Sequence, residues 1–187
     1  MNHLGTKIIE TDRLILRPFT MADAQPMYRN WASSTDVTRY LMWPAHASPE
    51  VSAAVLREWT AAYAQHDFYL WAIVLKSNGS EPIGSISVVS HDDRTQKAHI
   101  GYCIGSHWWH QGITTEALKA VIAFLFSEVG MQRIESRHDP RNPNSGAVMK
   151  KCGMQYEGTL RSADWNNQGI CDTCYYGILR EEARSGR

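Results

Sequence analysis

Trp108-Trp109-His110-Gln111-Gly112-Ile113-Thr114-Thr115-Glu116-Ala117 is the stretch that decides how this chain is read. It stands between a strand-like segment, Ala98 to Ile104, and an apolar helical pattern that continues to about Val129. A turn holding a glycine and two threonines, followed at once by a helix, leaves the first N–H groups of that helix without carbonyl partners. The helix dipole adds partial positive charge at the same place. Such a turn suits a phosphate or pyrophosphate. It lacks the Gly-x-x-x-x-Gly-Lys-Ser/Thr arrangement, which argues against a phosphate-loop nucleotide binder.

Outward from this turn, the chain punctuates clearly. Toward the N-terminus, Ile8 to Arg17 alternates apolar and polar residues from Arg13 on and reads as a first strand, stopped by Pro18. Thr20 and Asp23 suit the start of a helix toward Trp31, and Asp36 to Met42 suits a second, ended by Pro44. Ser48-Pro49-Glu50 opens a third, in which Val51, Val55, Trp59 and Ala62 share a face. Phe68 to Lys76 and Pro82 to Ser90 read as strands around Ser77-Asn78-Gly79-Ser80, with Gly84 a bulge or a point of close approach. Lys97 to Gly105 follows, placing Ala98, Ile100, Tyr102 and Ile104 on one face.

Toward the C-terminus, the helix after Gly112 carries Leu118, Val121, Ile122 and Leu125, widened by Ala117, Ala120 and Phe124. Its nearly all-round apolar surface predicts a helix packed on a sheet. Arg133 to Arg137 is a short strand, and Asn142-Pro143-Asn144-Ser145 starts a helix that Cys152-Gly153 closes. Tyr156 to Asp164 and Ile170 to Leu179 form a last hairpin around Asn166-Asn167-Gln168-Gly169. This order predicts an α+β fold in one domain over residues 1–187, with a mixed sheet and one crossover.

A formal net charge of zero argues against a nucleic-acid stripe or a polybasic membrane patch. No apolar run approaches the ~18 residues of a membrane span, and the N-terminus lacks a signal-peptide core, so the chain is expected in the cytoplasm. Cys103, Cys152, Cys171 and Cys174 do not form a disulfide framework, and Cys171-Asp172-Thr173-Cys174 has no second pair to complete a zinc site. The histidines are scattered, and no metal is expected.

Four segments together resemble the GNAT N-acetyltransferases, in particular the RimJ/RimL-type branch. They are Thr11-Asp12-Arg13-Leu14-Ile15-Leu16-Arg17; Trp109 to Ala117; Asn142-Pro143-Asn144-Ser145 with Lys151-Cys152-Gly153-Met154; and Tyr156-Glu157-Gly158 with the last hairpin. The family's Arg/Gln-x-x-Gly-x-Gly/Ala falls on Trp109 to Thr114, with Trp109 in place of Arg/Gln and Thr114 in place of the small residue. His110 stands where this branch usually has glycine.

The resemblance implies a mostly antiparallel sheet of about six to seven strands, a splayed parallel pair (Lys97–Gly105 and Arg133–Arg137) and helices on both faces. It implies acetyl-coenzyme A as cofactor and a primary amine as acceptor, either a protein N-terminal α-amine or a small amine. The amine would attack directly, through a tetrahedral intermediate. The cofactor would be held by Tyr102, Cys103, Ile104, His110, Gln111, Gly112, Ile113, Thr114, Thr115, Asn142 and Ser145. An amide near Tyr102 to Ile104 would face the thioester oxygen. Ser145 would help protonate the leaving thiolate, and Asp164, reached by counting onward from Glu157-Gly158-Thr159-Leu160, would take the amine's proton, through a water. Glu116 and Asp172 are weaker candidates for that base, Glu116 having a sufficient structural role at the helix start. Trp31, Tyr40, Trp43, Trp71 and Trp165 would wall the acceptor pocket, although such rings equally suit a core. The resemblance implies a monomer or a homodimer. The altered Trp109/His110/Thr114 cradle motivates an alternative: a catalytically weak module that senses acyl-coenzyme A.

Overall fold

The computed structural model describes residues 1–185. In that span eight strands form one sheet in the order β1-β2-β3-β4-β5-β6-β8-β7. The strands are β1 (Ile9–Glu10), β2 (Leu14–Arg17), β3 (Leu70–Leu75), β4 (Pro82–Asp92), β5 (Lys97–Ile104), β6 (Arg133–His138), β7 (Gln155–Asn166) and β8 (Gly169–Leu179). Neighbours run antiparallel except β5 and β6, the parallel pair, which the crossover through helix α4 (Ile113–Phe124) connects. The sheet has one strand more than expected because the N-terminal run does not form a single strand. It breaks at Thr11, whose N–H bonds Leu14 O at 3.0 Å, and folds back as the β1–β2 hairpin.

Helices cover both faces. Alternation along β3 sends Trp71 and Ile73 into a core with Leu118, Val121 and Leu125 of α4 and Met149 of α5 (Pro143–Lys151). Leu70 and Ala72 point the other way, toward Phe19, Met27 of α1 (Ala24–Met27), Trp31 and Leu56 of α3 (Pro49–Ala62). Two shorter helices, α2 (Thr35–Thr38) and α6 (Arg180–Ser185), complete the set among the described residues. α4 continues through a π turn over Leu125–Val129 and stops at Gly130, in the left-handed conformation. No helix is long and apolar enough to cross a membrane among the described residues.

Two features of β4 prepare the site. Gly84 lies so close to β5 that a Cβ there would stand 2.4 Å from Cys103 O, so only glycine fits. A bulge between Val88 and Ser90 bends the β4–β5 ribbon opposite His99 and Ile100. At that level β5 leaves β6.

Candidate active site

β5 and β6 pair at Lys97↔Arg133, Ala98↔Ile134 and His99↔Glu135, and then part. The next carbonyl of β5, Ile100 O, is taken by the Ser136 hydroxyl at 2.7 Å instead of a backbone amide. Beyond it, Tyr102 to Ile104 lines a cleft of about 500 Å³ together with Ile113 to Thr115 at the start of α4 and Asn142 to Ser145 at the start of α5. Arg39, Tyr40 and Leu41 close the far side.

The start of α4 is built for an anion. His110 (φ 61°) and Gly112 (φ 73°) are both left-handed, a backbone alternation that gathers successive N–H groups into a concavity. The first intrahelical donor is Glu116 N–H, which reaches Gly112 O at 3.0 Å; the amides of Ile113, Thr114 and Thr115 precede it and have no helical carbonyl to meet. Trp109, at the position where the family has Arg or Gln, anchors the turn: its indole N–H donates to Ile104 O at 3.0 Å. Gln111 does not line the cleft; its side-chain amide bonds His107 O within the turn.

The turn is clamped from behind by the β1–β2 hairpin. Glu116 accepts from the Thr11 hydroxyl at 2.6 Å, the Arg13 backbone N–H at 3.0 Å and the Arg13 guanidinium at 2.6 Å. Arg13 also donates to Gln111 O at 3.0 Å. Burial alone would raise the Glu116 carboxyl, but these bonds outweigh it and hold the group below its usual range. No spacing in the sequence connects Thr11 and Arg13 with Glu116, about a hundred residues away. The only sequence signal was an acid in the first turn of α4.

On α5, the Asn142 side chain makes no capping bond and lines the cleft. Ser145 Oγ donates to the Tyr102 hydroxyl oxygen at 3.2 Å, and that hydroxyl donates to Ser145 O at 2.9 Å. Burial pushes the Tyr102 phenol up, so it stays protonated and ties splayed β5 to the start of α5. Cys103 is raised by burial and stands 3.3 Å from the Ser85 hydroxyl, which makes it cleft wall rather than a thiolate nucleophile.

Of the residues predicted for the acceptor side, Tyr40 lines the cleft. Trp31 and Trp71 are 1% and 0% exposed and belong to the two cores. The Trp71 indole is satisfied by Lys7 O at 2.6 Å. This corrects their reading as pocket walls: Trp71 alternates into the core on a sheet covered on both faces, and Trp31 lies on the buried face of the helical segment Tyr28–Ala32 that covers the other side. Trp43 packs on the α1/α3 core, and Trp165 is 54% exposed outside the cleft. Asp164 also lies outside the lining, its Oδ2 2.7 Å from Arg137 Nε and its Oδ1 accepting from Trp165 N–H at 2.9 Å.

Three cations that sequence reasoning did not single out, Arg39, Arg141 and Lys151, also line the cleft. Arg141 is held by Asp139, whose carboxyl burial would raise but which bonds from Arg141 and Asn166 pull well below the usual range. The β7–β8 turn reaches over the same region: Asn167 donates to Thr38 O and Trp43 O, each at 2.8 Å, and fixes the segment carrying Tyr40.

A sheet parted at its one parallel pair, with an amide-lined helix start at the opening, is the build of an acyltransferase. Residues 13–155 match the acetyltransferase (GNAT) domain. The chain is 32% identical over 173 residues to the uncharacterized N-acetyltransferase YoaA of Bacillus subtilis, covering 92% of this chain and 97% of that one. It is 25% identical to a ribosomal-protein-serine acetyltransferase of Escherichia coli, covering 83% and 86% of the two. The fold superposes with a TM-score of 0.80 on the microcin C7 self-immunity acetyltransferase MccE, solved with acetyl-CoA and AMP, at 21% identity and 90% and 93% coverage. The chain belongs to the GNAT acetyltransferase family and is an N-acetyltransferase with RimJ/RimL-like relatives. Enzymes of this family use acetyl-coenzyme A.

Proposed function

We propose that this enzyme transfers the acetyl group of acetyl-coenzyme A to a primary amine, a protein N-terminal α-amine or a small amine, by direct attack through a tetrahedral intermediate. The observation that carries this reading is the stretch of β5 from Tyr102 to Ile104, which stays paired with β4 but has lost its β6 neighbour and opens onto the α4 start. The donor supplies an activated acyl group on a good leaving thiolate. The amides of Ile113 to Thr115, with the Thr114 and Thr115 hydroxyls, bind the pyrophosphate. Lys151 supplies positive charge along the cleft, and Arg39 and Arg141, ion-paired to Asp36 and Asp139, offer guanidinium donors. The edge of Tyr102 to Ile104 that faces away from β4, where the Trp109 indole already takes Ile104 O, receives the pantetheine arm as a pseudo-strand and offers one N–H to the carbonyl oxygen as it gains charge.

Ser145 protonates the departing sulfur and regains its proton from solvent in the open cleft. Its hydroxyl proton rests on the Tyr102 oxygen and can swing to the thiolate, whereas the phenol's own proton is committed to Ser145 O. Tyr102 is therefore a positioning residue. The proton lost by the amine leaves toward Asp164. Asp164 lies outside the cleft lining and each of its oxygens already accepts a bond, so the proton reaches it through water at a remaining lone pair.

Thermal unfolding with saturating acetyl-coenzyme A tests the binding half of this reading, because a ligand of the folded state must raise its stability. A rise in Tm that Gly112→Val suppresses supports the cradle; no rise removes the reading. The acetyl-coenzyme A sensor is the second reading, favoured by the Trp109 and Thr114 departures. It predicts stabilisation with no amine-dependent release of thiol.

A further inference from the structure

His3, His91 and Asp93 bring their ligand atoms within 4.8 Å of one another. His3 Nε2 stands 3.2 Å from Asp93 Oδ1. His91 Nδ1 stands 3.1 Å from the same oxygen, on the opposite side from its Nε2. In a tetrahedral site with metal–ligand bonds of about 2.0–2.1 Å, neighbouring ligand atoms stand roughly 3.3 Å apart. The two histidine–carboxylate edges already have close to that length.

The far nitrogen of each imidazole is also engaged. His3 Nδ1 lies 2.9 Å from the Tyr69 hydroxyl, and His91 Nε2 lies 3.6 Å from Asp67 Oδ2. Metal-binding histidines use such outer partners, a hydroxyl or a carboxylate, to fix ring orientation and tautomer. Tyr69 is a firm support: its ring is buried in the main core, and its hydroxyl oxygen also accepts from Leu4 N–H at 3.3 Å. Asp93 is exposed, which leaves room for solvent on the open side.

We propose that His3, His91 and Asp93 form a binding site for a divalent transition metal, zinc by preference, with water as the fourth ligand. Two imidazoles and one carboxylate suit zinc and its first-row neighbours; calcium and magnesium would call for an all-oxygen set. The site joins the segment around His3 to the β4–β5 turn. The same segment is already hooked by Asn2 N–H to Val129 O at 2.9 Å and by Gly5 N–H to His66 O at 2.7 Å. His91 pairs with Ala98 on β5, four to six residues from Tyr102 to Ile104. At about 3.3 Å per strand residue, the metal stands roughly 13–20 Å from the cleft. It is a clasp and takes no part in acetyl transfer.

The test uses the untagged full-length protein, stripped with chelator and titrated calorimetrically with zinc alone. The expected result is one zinc per chain, a Tm raised by several degrees, and a loss of at least tenfold in affinity in both His91→Ala and Asp93→Asn. Both variants should keep the stabilisation by acetyl-coenzyme A seen in the parent, which shows that they fold. Absence of equimolar zinc binding by the parent would overturn the proposal. So would unchanged zinc affinity in the two folded variants.

Discussion

β5 and β6 are one parallel pair with two unlike ends. At the Lys97–His99 end the backbones bond, and side chains lace over them: Glu135 meets Arg133 at 3.0 Å and Lys97 at 3.4 Å, and Arg133 reaches on to Glu157 at 2.5 Å. At the Tyr102–Ile104 end the backbones separate, and the bonds there run elsewhere, from Tyr102 to Ser145 and from Trp109 to Ile104. The paired end holds the two halves of the sheet together across only three register pairs. The open end leaves main-chain groups for a ligand to complete. Substitutions at the first should therefore cost stability and spare acetyl transfer, and substitutions at the second should do the reverse.

The largest expected effect is at the paired end. Glu135→Ala leaves Arg133, Lys97 and His99 without their common carboxylate, which is 13% exposed. Breaking so enclosed a pair costs about 3 kcal/mol, or roughly 6–12 °C in Tm, with kcat unchanged at a temperature where the variant is folded. A drop in kcat matching the drop in stability would erase the distinction between the ends.

His99 sharpens it through pH. Burial first, then Arg137, push this imidazole from 6.5 down to about 4, against the opposing pull of Glu135 and Asp164. The unfolded chain thus takes up a proton near 6.5 that the folded chain refuses until about 4, so this contribution is intact above 6.5 and is lost as pH falls through that window. Chemical denaturation of the parent and of His99→Gln should diverge by roughly 2–3 kcal/mol between neutral pH and pH 4. Parallel profiles would show that His99 charges freely in the fold.

At the open end, Gly112→Val should weaken acetyl-coenzyme A binding about thirtyfold and lower Tm by at most roughly 4–8 °C, less than Glu135→Ala does. The nearest atom to an added Cβ is Arg13 Nη2 at 3.6 Å, so the cause is not a clash. A β-branched residue cannot hold a left-handed φ without a cost of about 2 kcal/mol, and the turn relaxes out of its cradle shape. Ser145→Ala should lower kcat about tenfold while leaving acetyl-coenzyme A affinity within twofold. Equal losses in both constants would make Ser145 a binding residue only.

Much of this was legible in the sequence. The α4 turn, the Gly84 approach and the α5 start follow from local rules, because glycine and capping chemistry act within a few residues. Strand and helix positions followed from periodicity for the same reason. What stayed hidden depends on distance or on facing. Thr11, Arg13 and Glu116 meet across about a hundred residues of chain, and His3 meets His91 and Asp93 across nearly as many. No spacing rule reaches so far, so the histidines read as scattered. Trp31 and Trp71 were misplaced because aromatic content says nothing of which layer a ring enters. The alternation along β3 holds for both faces, and both are covered.

The most direct measurement is release of free thiol from acetyl-coenzyme A by the purified enzyme, across peptides with different N-termini and a panel of small amines. The account predicts release that requires an amine, saturates with it, and falls about tenfold in Ser145→Ala. Stabilisation by acetyl-coenzyme A with no amine-dependent release in either protein would contradict it, and would leave the splayed cleft as a place where the thioester is held and not used.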